Sequence, residues 1–300
     1  MDKNLRCLQR WRHIHGVVPS CHPPIRQGGH TLIELMVAMV VALVAMGAIY
    51  SVYHVQQRQH YSQQRIVKAR QNARSALAIL EQQVRMAGYD PEGSGLFGIT
   101  DVRRYDLIGT RPNPQGQPAL TFTRDVDENG NFDGGGEQIR FCIRQEKDTG
   151  KTYLAWNMGS GRFPMAENID GLGFAYAVDR DGDGQADKCG ESEYFLWAVD
   201  SDNDNKLDTN LDVNCDGRVN EQDDHDGDGR ITPADGAGLN PPVNPDRIKA
   251  IHVWMSIVSG RRVGRSGLRK NLILGDTVVK PSPDGFRRNI LETTISCRNL

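Results

Sequence analysis

The sequence has no CxxC pair, so a thiolate zinc site finds no ligand set here. It shows no Ser–His–Asp or Cys–His constellation, and its paired aspartates are spaced for a cation rather than for buried acid–base work. His252, between Ile251 and Val253, reads as a strand residue and not as a catalytic base. An enzyme therefore has no chemistry to rest on. An excess of either charge is also missing, since the formal net charge is −2 over 300 residues. What positive charge there is gathers at the start. Lys3, Arg6, Arg10, Arg12 and Arg26 stand against Asp2 within 1–29, which leaves the rest of the chain net acidic. That balance opposes nucleic-acid binding and suits a leader held on the cytoplasmic side of a membrane. Finally, no small-x-small cleavage signal follows the apolar run, as an ordinary secretory signal would require.

What is present begins at Gly28. Two glycines close the basic leader, and from Leu35 to Tyr50 no residue is charged. Counted from Thr31 to Tyr53, the segment is just long enough for the roughly 20 residues that span a bilayer. Because the small residues precede the apolar run, cleavage falls on the cytoplasmic side and the apolar segment is retained. Glu34 is the odd residue in it. A carboxylate in mid-bilayer costs about 2.5–3.5 kcal/mol on insertion scales, so it needs a partner. Cleavage after Gly29 would free an α-amine on His30, and Glu34 of one subunit could pair with the amine of a neighbour.

The run Gly29–His30–Thr31–Leu32–Ile33–Glu34–Leu35–Met36–Val37–Ala38 resembles the type III signal sequence of type IV prepilins and pseudopilins. The resemblance implies cleavage by a prepilin peptidase after Gly29, N-methylation of the new first residue, and a docking role for Glu34 in a filament. The chain departs from the family at His30, where Phe or Met is usual. Arg70–Leu77, Val84–Tyr89, Ile169–Tyr176 and the block from Phe286 to Asn299 are similar to minor pilins of the PilW type. The type II secretion pseudopilin J is similar over the same segments.

Beyond the membrane segment, Ile66, Ala73, Leu77, Leu80, Val84 and Ala87 recur at spacings of three, four and seven, one apolar stripe on a polar helix. Gln63, Gln64, Lys68, Arg74 and Gln82 lie opposite. Gly88 and Pro91 supply the stop. Seven strands are expected, at Leu120–Arg124, Glu137–Arg144, Thr152–Trp156, Leu172–Val178, Glu193–Val199, Arg247–Val258 and Asn289–Cys297, several of them alternating as in Ile139, Phe141 and Ile143. The fold class is therefore α+β, a long N-terminal helix packed on an antiparallel β head, which is also what the pilin resemblance implies. The domain reading is a leader at 1–29, a transmembrane half-helix at 30–53, an amphipathic half at 54–88 and a head at 89–300, with an Asp-rich region at 179–236.

That region has a definite form. Asp212, Asn214, Asp216, Gly217, Val219, Asn220 and Asp223 occupy positions 1, 3, 5, 6, 8, 9 and 12 of a calcium loop, and Asp224, Asp226, Asp228, Gly229, Ile231, Thr232 and Asp235 repeat it. Alternate side chains converge on one cation, the glycine permits the sharp turn, and the apolar residue anchors the loop. A third loop carries Asp200, Asp202, Asp204 and Asp208, so the starts fall twelve apart in a tandem repeat. Two more stand alone, one with Asp179, Asp181, Asp183 and Asp187, the other with Asp125, Asp127, Asn129 and Asp133. All five look like dockerin or thrombospondin type 3 calcium repeats. None has Glu at position 12; Glu191 and Glu137 lie one residue late. Affinity is accordingly expected in the extracellular range of about 10⁻⁴–10⁻³ M. The plain alternative is a set of solvated Asp-Gly turns, but so many carboxylates in 179–235 would repel one another without cations.

Six cysteines are present. Cys7 and Cys21 belong to the leader, where with His13, His15 and His22 they match no ligand motif. The remaining four allow two disulfides in three connectivities. Cys189 with Cys215, both in the acidic region, and Cys142 with Cys297, both on expected strands, is the pairing adopted here.

Three functions compete on these grounds. The first is a minor pilin that initiates or caps a type IV pilus. Its expected partners are other pilins through the N-terminal helix, the prepilin peptidase and the inner-membrane assembly platform. Before assembly it would be a single-pass inner-membrane protein with a periplasmic, Ca²⁺-ordered head that could serve adhesion; afterwards it would sit in the filament at the cell surface. The second is a type II secretion pseudopilin. The third is a membrane-anchored, calcium-dependent adhesin that does not polymerise.

Overall fold

The computed structural model describes residues 31–107, 111–146, 148–159, 161–259, 271–279 and 285–300. Gly29 and His30, where cleavage and methylation are expected, lie outside the described residues. The chain divides into two compact units, 1–57 and 58–300. One helix, α1 (Leu32–Val84), contributes to both.

In the first unit α1 carries an apolar surface from Leu35 to Tyr50. Leu35, Val40, Leu43, Val44 and Ile49 are all exposed on every side of the helix. A helix that is apolar all round needs an apolar surrounding, and this one is long and apolar enough to cross a membrane.

The second unit is the head. Here α1 buries Ala73, Ala76, Leu80 and Val84, with Ala87 just beyond its end, while Gln63, Gln64, Lys68, Arg74 and Gln82 stay exposed. Most of the expected stripe is thus the buried stripe, with Leu77 half-buried at its edge. The helix stops in a turn where Gly88 adopts φ +73° and donates its N–H to the carbonyl of Thr123 at 3.0 Å. Glycine holds a left-handed φ without steric penalty.

Two antiparallel sheets follow. The first has the order β1 (Ile99–Asp101), β3 (Gln117–Thr123), β4 (Gln138–Gln145), β5 (Thr152–Met158), β6 (Gly161–Glu167), with β2 (Arg104–Tyr105) also paired to β3. The second has the order β10 (Gly238–Val243), β9 (Leu207–Asn210), β8 (Trp197–Val199), β7 (Ile169–Val178), β11 (Ile248–Val258), β14 (Arg288–Ser296). The helix stripe, Leu120, Phe122, Ile139, Phe141 and Leu154 of the first sheet, and Phe174, Tyr176, Ile251, Val253 and Met255 of the second form one core. The period-2 alternation decides which side chains enter it. On the other face of the second sheet Ala175, Val199 and Trp254 pack under a small hairpin, β12 (Leu272–Leu274) and β13 (Thr277–Val279). Gly173 permits this: a Cβ there would strike the backbone of Leu274 and Gly275.

The pairing of Cys142 with Cys297 is not formed; both are buried free thiols. The reason is facing. Cys142 points away from the core, against Tyr105, Ala119 and Ala155, whereas Cys297 enters the core between helix and sheets. Two strands in different sheets, with their cysteines on different faces, cannot meet.

Candidate functional site

At the start of α1, Thr31 caps the helix. Its hydroxyl accepts the N–H of Glu34 at 3.3 Å and its carbonyl accepts that of Leu35 at 3.2 Å. Thr31 and Glu34 have the Thr-x-x-Glu spacing of a capping box, so Glu34 also sits where a carboxylate favours the helix N-terminus. The Thr-x-x-Glu spacing itself carries this role, beside the pairing expected between Glu34 and a neighbour's α-amine.

The five acidic loops share one construction. The first aspartate turns inward and takes the N–H of the sixth residue: Gly130 to Asp125 at 2.9 Å, Gly184 to Asp179 at 2.9 Å, Asn205 to Asp200 at 2.8 Å, Gly217 to Asp212 at 2.8 Å and Gly229 to Asp224 at 3.1 Å. Every sixth residue has a positive φ, including Asn205 at +71°. Asparagine tolerates this region better than other side chains, so Asn205 does the work that glycine does elsewhere. The side chains at positions 3 and 5 accept N–H groups two residues on, as Asp202 does from Asp204 and Asp228 from Arg230. These bonds curl the loops, and in four of the five the carboxylates face a common point.

Four groups of carboxylates have oxygens mutually within 4.8 Å and could hold a metal ion: Asp125, Asp127 and Glu137; Asp179, Asp181 and Asp187; Asp200, Asp202 and Asp204; Asp224, Asp226 and Asp228. At that separation two carboxylates repel by roughly 3.5 kcal/mol at an effective dielectric of about 20. The Asp212 loop has Asn214 at its third position and forms no such three-carboxylate group among the described residues. Its Asp212 and Asp223 are fully buried, however, and Asp223 takes the N–H groups of Val213 and Asn220 at 2.9 and 2.8 Å.

The remaining expected ligands are placed as follows. Asp235 clasps the N–H groups of Asp226 and Thr232 at 3.1 and 2.8 Å, and Asp208 that of Ser201 at 2.9 Å. Asp183 takes the N–H of Gln185 at 2.7 Å. The Asn220 carbonyl takes that of Gln222 at 2.8 Å, and the Thr232 hydroxyl that of Ala234 at 3.3 Å. These groups brace their loops. Asp133 takes the N–H of Gly135 at 2.9 Å and is not in the Asp125 group. Glu137, one residue past position 12 by sequence spacing, joins the group instead. Position 8 anchors as expected at Ile231, and Leu207 does the same in the Asp200 loop; both are fully buried.

The electrostatics of the loops differ. Burial, reinforced by the neighbouring Asp202 and Asp204 charges, pushes the Asp200 carboxyl up to about 6 despite the N–H groups it accepts. Burial likewise raises Asp212 and Asp223. Asp179 goes the other way. Its burial is outweighed by N–H donation from Gly182 and Gly184 and by the nearby Lys249 and Arg247 charges; Lys249 Nζ lies 3.8 Å away.

Cys189 and Cys215 are bridged, with Cα atoms 5.5 Å apart. The bridge ties the end of the Asp179 loop to the fourth position of the Asp212 loop.

Residues 25–50 match the family model described as the prokaryotic N-terminal methylation motif. Among solved structures, a type IV-like pilin from Thermus thermophilus is similar at 11% identity, over 77% of this chain and 97% of that one, with a TM-score of 0.37. No curated protein matches the chain.

Proposed function

We propose that this chain is a minor-pilin-type subunit, of the PilW type, that initiates or caps a type IV pilus. The observation that carries the reading is the methylation motif at 25–50, which opens directly onto an apolar helix whose early charge is Glu34. In this reading a prepilin peptidase cuts after Gly29, and His30 becomes the N-terminus. The apolar half of α1 holds the subunit in the inner membrane with its head in the periplasm, and then packs among neighbouring pilins. In this reading the chain itself is a structural subunit and catalyses no step.

We further propose that the loops at 179–235 bind Ca²⁺. Their donors are carboxylates and amide carbonyls, hard oxygen ligands that suit Ca²⁺ rather than a soft transition metal. Bound cations would relieve the repulsion within groups such as buried Asp200 with exposed Asp202 and Asp204. The head could then serve adhesion, with calcium fixing its shape.

Co-expression with a prepilin peptidase tests the assembly reading. The mature chain should begin at His30 by N-terminal mass spectrometry and should co-purify with sheared surface filaments. A chain that is cut but stays wholly in the inner-membrane fraction would point to an anchored protein.

A further inference from the structure

Glu137 is 2% exposed, and its Oε1 is sealed from solvent with no hydrogen-bond partner. Its other oxygen accepts the N–H of Asp133 at 2.9 Å. Glu137 belongs to the carboxylate group that also contains Asp125 and Asp127. Asp125 is buried as well and takes N–H groups from Asn129 at 3.3 Å and Gly130 at 2.9 Å. Among the described residues no lysine or arginine forms an ion pair with any of the three. A buried carboxylate with one oxygen lacking a donor, grouped with two further carboxylates, is a costly arrangement unless a cation completes it.

The surroundings give this group a second property. The N–H of Asp125 donates to the carbonyl of Tyr89 at 2.8 Å, and the Tyr89 hydroxyl donates to Glu128 at 3.0 Å within the same loop. One step earlier, Gly88 donates to Thr123, the last residue of β3. The turn that ends α1 is thus held by the segment that carries the acidic group.

We propose that Asp125, Asp127 and Glu137 form a separate divalent-cation site, of Ca²⁺ type, that locks the turn at 86–93 onto the β3–β4 connection. Glu137 closes the site in place of a position-12 ligand; the three successive glycines 134–136 let the chain swing far enough for a residue at position 13 to reach. The site is independent of the loops at 179–235. It gives the end of the assembly helix a cation-dependent rigidity.

The test uses the full chain in detergent micelles, with Ca²⁺ as the probe. Bound ions are counted by equilibrium dialysis for wild type, Glu137→Gln and Asp127→Asn. Amide exchange of 86–93 is followed with and without EGTA. Asp127 is exposed, so its variant decides the matter if Glu137→Gln fails to fold. Each variant should bind one ion fewer than wild type. EGTA should speed exchange of 86–93 at least tenfold in wild type and leave Asp127→Asn unchanged. Asp202→Asn serves as a control that leaves exchange at 86–93 alone. Should the 179–235 loops bind nothing, wild type would still hold one ion and the variants none. Equal ion counts in wild type and Asp127→Asn would overturn the proposal.

Discussion

The side-chain carbonyl of Asn205 accepts the backbone N–H of Val102 at 3.0 Å, while its amide donates to the carbonyl of Thr100 at 3.0 Å. Asn203 adds a third link by accepting the N–H of Arg104 at 2.6 Å. An acidic loop between β8 and β9 of the second sheet therefore grips the β1–β2 segment of the first. Asn205 is held at its positive φ by the N–H it gives Asp200. Whatever orders Asp200 orders the seam between the sheets.

Asn205→Gly should remove both side-chain bonds while keeping the left-handed backbone, at a cost of about 1–2 kcal/mol. Asn205→Ala should lose the same bonds and add backbone strain, costing roughly another 1 kcal/mol. Urea midpoints of the two variants against wild type check the order. Equal stability of all three would mean the seam does not depend on this side chain.

Calcium removal should act through the same seam. EGTA should lower the melting temperature of the protein and speed amide exchange at Val102 and Arg104, and added Ca²⁺ should restore both. A melting temperature indifferent to EGTA would dispose of calcium binding in the 179–235 loops.

The thiols should divide in two. Burial pushes the Cys297 thiol up to about 12, so almost no thiolate exists at neutral pH to react. Cys142 and Cys297 should take up iodoacetamide only after unfolding, and Cys189 and Cys215 only after reduction, as peptide masses will show. The bridge closes a separation of 26 residues, for which chain entropy suggests about 3.5 kcal/mol of stabilisation. Reduction of the native protein should lower its urea midpoint accordingly.

His252 offers a pH-dependent signal outside the acidic loops. It lies between Trp197 and Trp254, with ring centroids 5.5 and 4.1 Å away, and its Nδ1 meets the Thr294 hydroxyl at 2.8 Å. Burial lowers its affinity for a proton below the usual 6.5, although Glu292, 3.8 Å away, pulls the other way. The unfolded chain then binds the proton better than the folded one. Stability from this group is present above about pH 6.5 and is lost as pH falls toward the depressed folded value. His252→Gln should flatten the difference in urea midpoint between about pH 5 and about pH 7.5, measured in saturating Ca²⁺. An unchanged slope would mean His252 is not its source.

Much of this architecture was readable because strands such as β4 present an apolar face to the core at every second residue. Ile139, Phe141 and Ile143 alternate with polar neighbours, and β4 forms where they lie. The strands that escaped have no such contrast. β6 is mostly exposed and contains Pro164, while β10 contains Pro241 and Pro242; proline in a run argues against a strand except at an edge, and both lie at sheet edges. The strand expected from Glu193 shrinks to Trp197–Val199 because the bridged turn after Cys189 occupies its first half. In the loops, spacing located the first aspartates but not the closing ligand. Glu137 becomes a member of its group through the flexible run 134–136, which no fixed template describes. The calcium-loop pattern asks for glycine at position 6, whereas the physical requirement is a tolerated positive φ, which Asn205 meets.

Two roles compete for Glu34. As a capping-box carboxylate it would stabilise the first turn of α1, a local effect worth about 1 kcal/mol or less that Thr31 shares. As an assembly charge it would pair with the α-amine of a neighbouring subunit, a role Thr31 has no means to perform. The two single variants separate these roles. Thr31→Ala should weaken the cap, leave cleavage after Gly29 intact and reduce filament incorporation less than twofold. Glu34→Ala should also be cleaved but should fall at least tenfold in sheared filaments, while Glu34→Gln, which keeps the shape and loses the charge, should resemble Glu34→Ala. Quantitative blotting of filament and membrane fractions reads all three. If Thr31→Ala and Glu34→Ala fall together, or Glu34→Gln assembles normally, then the carboxylate serves the helix end and subunit docking must rest on the apolar face of α1.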